Sequence, residues 1–174
     1  DRFNFVDFQG VVVIGEGTKD EAPELYIGEA LGTGKGPLLD IAVDPLECTD
    51  SVANGRPNAL SVIATGAEGS LFHAPDTYMD KIACGPAAKG VIDLDASIEE
   101  NIGRVAEKLH KKIEDMVLIA LDREYNQATI EEIRRVGARV RLITDGDVAG
   151  AIATCMPDSG VDLLIQRGAS AEAV

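Results

Sequence analysis

From Ser97 to the end of the chain, helical and strand patterns take turns, and that alternation leaves few folds open. Ser97 and Glu100 have the spacing of a capping box, in which each side chain satisfies the other's backbone N–H at a helix start. Ile102, Val105, Ala106 and Leu109 then recur at helical spacing and predict a helix over 97–110. Residues 116–121 read as a strand, 129–136 as a helix closed by Gly137, 140–144 as a strand, 148–156 as a helix and 161–165 as a strand. Such a β-α-β-α-β order suits a mostly parallel sheet flanked by helices.

Upstream the texture differs. Val11-Val12-Val13-Ile14, closed by Gly15, reads as a buried strand. The acidic segment 20–31 reads as a helix with Pro23 in its first turn, where a missing N–H is tolerated. Residues 39–43 and 58–65 read as strands, with 70–74 pairing back across 66–69. The fold class is therefore α/β, with an α+β first half, and the change of texture predicts domains at 1–91 and 92–174. Aromatic residues are 4% and Trp is absent, so the core must rest on Val, Ile, Leu and Ala. The abrupt start at Asp1 and stop at Val174 predict a fold incomplete at both ends.

Net charge is −14, with no basic run longer than Lys111-Lys112 or Arg134-Arg135. Binding to nucleic acid by counterion release needs a cationic face, so DNA and RNA are not expected partners. Anionic membrane surfaces are excluded on the same ground, and no apolar run reaches the ~20 residues of a membrane span. Cys48, Cys84 and Cys155 are widely spaced without a CxxC pair, which predicts a reducing compartment, the cytoplasm, and a small buried hydrophobe at each. An acidic chain that handles an anionic substrate needs local positive charge, and a bound metal is the usual source.

Two acidic motifs follow strand patterns. In Gly15-Glu16-Gly17, with Asp20 behind it, a carboxylate sits between glycines that let the backbone turn and approach a ligand; a plain turn with solvated acids accounts for it equally well. In Asp44-Pro45-Leu46-Glu47, an acid at a strand end is followed by a second acid three residues on. Taken with Glu16 these make three hard oxygen donors suited to Mg²⁺ or Mn²⁺, while an Asx-type turn with a helix cap is the alternative. His73 and His110 are not in metal-ligand spacing.

Residues 15–28 (GEGTKDEAPELYIG), 40–49 (DIAVDPLECT), 73–81 (HAPDTYMDK) and 139–153 (RVRLITDGDVAGAIA) together resemble class II fructose-1,6-bisphosphatase. This family belongs to the lithium-sensitive sugar phosphatases and includes a branch acting on both fructose and sedoheptulose bisphosphates. The resemblance implies a layered fold of two α/β subdomains, the first binding metal and the second contacting substrate. It implies phosphomonoester hydrolysis of a sugar bisphosphate, in gluconeogenesis or the Calvin cycle, by a homodimer or tetramer. Carried over residue by residue, it makes Glu16, Asp44, Glu47 and Glu172 ligands of Mn²⁺ or Mg²⁺. Asp20 would position or deprotonate the attacking water, and Thr49 would orient that water or a phosphate oxygen. Asp50, Tyr78, Arg123, Tyr125, Asp145 and Asp147 would join Thr49 at the substrate, with Asp147 also capping a helix. Lys81 reads as a solvated charge, with a phosphate contact as the alternative.

Departures from the family pattern fall in the site. Cys48-Thr49-Asp50 stands for Gly-Thr-Asn, and Arg123-Glu124-Tyr125 for Arg-Pro-Arg. Asp50 thus puts an anion where a neutral amide would donate, and Tyr125 removes a cation. Arg167 is new and replaces one in kind, and Ala173 stands for a glycine. A homologue that binds a phosphorylated ligand or partner without turnover, or one that hydrolyses an inositol phosphate, are the alternatives.

Overall fold

The computed structural model describes residues 3–15, 24–57, 59–75 and 77–173. The chain divides into two compact units, one of Asp1–Glu47, Ala59–Thr77 and Ser170–Val174, the other of Cys48–Asn58 and Tyr78–Ala169. The chain as a whole is of mixed α/β build, with a four-stranded sheet in each unit. Among the described residues the four α-helices all belong to the second unit, and the first has only short 3₁₀ turns beside its sheet, not the α/β subdomain that the resemblance implied.

The first unit holds β1 (Gln9–Ile14), β2 (Ala30–Leu31), β3 (Leu38–Glu47) and β4 (Leu60–Ala67), in the order β2-β1-β3-β4. β1 and β3 run parallel, and the other pairs are antiparallel. The apolar centres of β1 and β3 are buried on both faces: Val12, Ile41 and Val43 pack with Phe8 and Leu31, while Val13, Ile14 and Ala42 pack with Ala64, Leu71 and Ala171. Unbroken apolar runs are expected where a sheet is covered on both sides.

Two expectations for this unit fail. Residues 24–31 are not helical: Leu25 and Gly28 take positive φ, Gly28 N donates to Val12 O, and Val12 N donates to Glu29 O. The segment satisfies its backbone by running back along β1, and this pairing overrides its helical composition. The first part of that predicted helix, 20–23, lies outside the described residues. Residues 70–74 form no strand either; β4 ends in a turn where Ser70 N bonds Ala67 O, and the loop is tied by Leu71 N to the buried Asp40 carboxylate at 3.1 Å.

The second unit holds α1 (Thr49–Ala53), β5 (Tyr78–Cys84), α2 (Ile98–Lys108), β6 (Val117–Leu121), α3 (Gln127–Val136), β7 (Arg139–Ile143), α4 (Asp147–Cys155) and β8 (Leu163–Ala169). Its strand order is β5-β8-β6-β7, with β6 parallel to both β7 and β8 and β5 antiparallel to β8. The predicted capping box is present, Glu100 N bonding Ser97 Oγ and Ser97 N bonding Glu100 Oε2. These bonds hold the Glu100 carboxyl below its usual range. Leu118 and Leu163 pack with α2 and α3, whereas their neighbours Ile119 and Leu164 pack with Ala151 and Ala153 of α4. Successive strand residues face opposite sides, so the helices cover both faces of a doubly wound sheet. Gly150 lets α4 lie close, since a Cβ there would stand 3.2 Å from Ile143 and Leu164.

The cysteines also divide. Cys48 is buried and Cys84 half-buried, its thiol pKa raised first by burial, whereas Cys155 is exposed and not the packed hydrophobe expected of it.

Candidate functional site

β6 leads through α3 to β7 on one side, and β7 leads through α4 to β8 on the other. Reversal of direction at β6 makes a topological switch point, and ligands of such sheets bind beyond the C-terminal ends of the strands there. Backbone pairing between β6 and β8 stops at Ile119 and Leu164. Beyond it side chains take over: Leu121 N donates to Gln166 Oε1 at 2.7 Å, and Asn126 clamps Arg167 through both its backbone N and O.

Most of the predicted substrate residues fall at this end of the sheet. Arg123 leaves β6, Tyr125 follows in the short 3₁₀ turn Glu124–Asn126, and Asp145 lies between β7 and α4. Tyr78 starts β5, opposite Ala169 of β8, and its ring lies against Tyr125 with centroids 5.1 Å apart at 60°. α1 is tied to the same region: Ser51 donates to Asp145 through N at 3.0 Å and Oγ at 2.7 Å, and Arg56 reaches Thr144 Oγ1 at 2.8 Å. Arg123 Nη2 donates to Asp50 at 3.1 Å, which raises the guanidinium pKa further above its ordinary range. Thr49 is the exposed first residue of α1.

Asp147 differs from its expected capping role. The helix N-cap is Gly146 in a left-handed conformation, and Asp147 is the first helical residue, buried and paired with Lys81 Nζ at 2.5 Å. Lys81, read from sequence as a solvated charge, is mostly buried. Arg167 is exposed and pairs with Asp80 at 3.1 Å. Ser51, Asn126 and Gln166 were not singled out in the sequence, because each acts through a partner at least 41 residues away.

In the first unit the acidic motif of β3 contains a bulge. Asp44 lies opposite Val62 and Glu47 opposite Leu60, so three steps on β3 match two on β4. In a regular strand, residues three apart face opposite sides. The extra residue returns Glu47 to the side of Asp44. Pro45, which has no N–H to give the ladder, sits in the bulge, where a strand proline is tolerated. Its carbonyl accepts from Ser61 Oγ at 2.7 Å, and Leu46 N donates to Asp44 Oδ1 at 2.9 Å. Asp44 and Glu47 thus share the face of Ala42 and Ala64, on which Ala171 packs, directly before Glu172. Glu47 is nearly fully buried, and Glu172 is half-buried in the 3₁₀ turn Ala171–Ala173. Glu16 and Asp20 lie outside the described residues. Among the described residues no group of three His, Cys, Asp or Glu side chains could by itself hold an ion. The chemistry of the donors fits a hard divalent cation, since Asp44, Glu47 and Glu172 offer only carboxylate oxygen.

The family model for bacterial fructose-1,6-bisphosphatase, glpX-encoded, matches residues 1–174. The chain is 48% identical over 171 residues to fructose-1,6-bisphosphatase 1 class 2 of Escherichia coli (strain K12), covering 98% of this chain and 51% of the relative. Identity to fructose-1,6-bisphosphatase class 2 of Haemophilus influenzae (strain ATCC 51907 / DSM 11121 / KW20 / Rd) is 44% over the same 171 residues and the same shares. The chain therefore spans about half the length of the curated relatives it matches.

Proposed function

The chain belongs to the family of glpX-encoded bacterial fructose-1,6-bisphosphatases, and from that premise we propose that it hydrolyses a sugar bisphosphate, taking fructose 1,6-bisphosphate to fructose 6-phosphate and phosphate. The observation that carries the reading is the bulge in β3, which turns Asp44 and Glu47 to one face as a shared cation requires.

Glu16, Asp44, Glu47 and Glu172 would hold Mn²⁺ or Mg²⁺. Such an ion neutralises phosphate charge and makes a bound water more acidic. The rest is the work of the chain's own groups. Asp20 would accept the proton of the attacking water, and Thr49 would orient that water or a phosphate oxygen. Arg123 would pair with a phosphate, Asp145 and Asp147 would accept hydrogen bonds from sugar hydroxyls, and Tyr78 with Tyr125 would flank the sugar. Sedoheptulose 1,7-bisphosphate as a second substrate, a homodimer or tetramer, and a cytoplasmic location complete the proposal. Among the described residues no helix is long and apolar enough to cross a membrane.

One contact favours a second reading, binding without turnover: Asp50 occupies the Arg123 guanidinium that phosphate would need. Phosphate release from fructose 1,6-bisphosphate, with and without Mn²⁺, separates the two. Metal-dependent release that is lost in Glu16→Ala supports the hydrolase, and a folded protein that binds the sugar bisphosphate but releases no phosphate with either ion sinks it.

A further inference from the structure

Lys81 of β5 and Gln166 of β8 are direct cross-strand partners. By strand alternation they share a face with Ala83 and Leu164, which pack with α4. Asp147, at the start of α4, meets Lys81 on that face at 2.5 Å through Oδ2, with side-chain exposures of 13% for the lysine and 5% for the aspartate. Gly168 follows Gln166 on the same face, and a Cβ there would overlap Asp147 Oδ2 and stand 3.3 Å from Lys81 Nζ. Glycine therefore leaves room for the ion pair.

The other ends of these groups are incomplete. Asp147 Oδ1 and Gln166 Nε2 are buried and have no hydrogen-bond partner among the described residues. One is an acceptor and the other a donor, and Gln166 is held in place by its Oε1 on Leu121 N. An unmatched buried polar group is unfavourable, and an incoming group of matching character removes that cost. A hydroxyl both donates and accepts, so it matches both atoms. A phosphate oxygen would be repelled by the carboxylate.

We propose that Lys81 is a positioning residue: by holding Asp147 Oδ2 it fixes the orientation of the buried carboxylate and presents Oδ1 to a hydroxyl of a polyol ligand, with Gln166 Nε2 as the donor of the same subsite. The role rests on the reading of Asp147 as a sugar contact. Lys81 touches no reacting atom, so it acts on recognition of the sugar and not on the phosphate chemistry.

The test pairs a residue change with a ligand change. Calorimetry on the intact protein compares fructose 1,6-bisphosphate with hexane-1,6-diyl bisphosphate, which keeps both phosphates and lacks the hydroxyls. Lys81→Met is expected to weaken the sugar ligand roughly tenfold or more and the alkyl ligand less than about twofold, as loss of a hydroxyl contact to a charged group implies. Lys81→Arg should recover most of the loss. Gln166→Glu keeps the acceptor for Leu121 N while replacing the orphan donor, so it should show the same selectivity and decides the matter if Lys81→Met does not fold. Equal weakening of both ligands, or of neither, overturns the proposal. A wild type that binds the sugar bisphosphate but releases no phosphate sinks the hydrolase reading and leaves this subsite standing; one that does not bind it sinks both.

Discussion

Asp50 accepts a hydrogen bond from Arg123 Nη2 at 3.1 Å, although the two are 73 residues apart in sequence. Both side chains are substantially exposed, at 51% and 40%, so the pair itself contributes only about 0–1 kcal/mol to stability. Its weight lies in competition, because a phosphate bound at Arg123 as proposed would have to displace a carboxylate already seated on the guanidinium. The arginine stays charged at every workable pH, and Asp50 supports that charge. Asp50→Asn should therefore tighten bisphosphate binding by roughly two- to fivefold, an effect that shrinks as salt rises, with little change in melting temperature. Titration calorimetry at two ionic strengths reads it. Unchanged or weaker binding in the variant would mean that Asp50 does not compete for Arg123.

The bulge at Pro45 makes a sharper prediction for Glu47. If the carboxylate is a cation ligand, Glu47→Gln keeps its shape and removes its charge. Metal-dependent phosphate release should then fall by more than the roughly 10–100-fold that loss of an outer-shell partner costs. Raising Mn²⁺ should recover part of it. A variant with wild-type activity at low Mn²⁺ removes Glu47 from the metal set.

How far these contacts could be foreseen depends on their range. The helix at Ile98–Lys108 was legible because Ser97 and Glu100 settle its start between residues three apart. The strands of the second unit were legible because burial on both faces leaves apolar runs such as Val117–Leu121. The acidic segment through Leu31 was misread because its backbone partner is β1, a pairing that no local pattern encodes. The strand reading stopped at 39–43 with Asp44 at its end, yet β3 runs on through a bulge to Glu47, since β4 supplies a partner for the odd register. Lys81 read as a surface charge because its partner Asp147 lies 66 residues on. Residue types in the motifs were visible; which face each side chain takes was set by sheet register.

Asp40 gives a pH dependence. Its side chain is buried, and backbone N–H groups of Gly69 and Leu71 hold its carboxyl below the ordinary 3.8. A carboxyl with a depressed folded-state pKa stabilises the fold above its unfolded value, and that contribution is lost as pH falls through the folded value. At neutral pH the contribution is fully present. Asp40→Asn should lower the melting temperature at pH 7, and the gap to wild type should narrow below about pH 4. Melting curves at pH 7 and pH 3 test this, and a gap that stays constant across that range would assign the loss to packing alone.

Cys48 joins β3 to α1 with φ of 75°, a conformation that costs a non-glycine residue about 1–2 kcal/mol. Glycine would remove that strain, but it gives the unfolded chain about 0.4–1 kcal/mol of extra freedom. It also gives up the burial of the Cys48 side chain, which is only 7% exposed. These effects oppose one another at similar size. Cys48→Gly should therefore change stability by less than about 1 kcal/mol, whereas Cys48→Val, β-branched in a left-handed conformation, should cost clearly more. Urea unfolding of the three proteins measures both. A large loss in the glycine variant would show that the thiol contacts, and not the turn, decide what this position accepts.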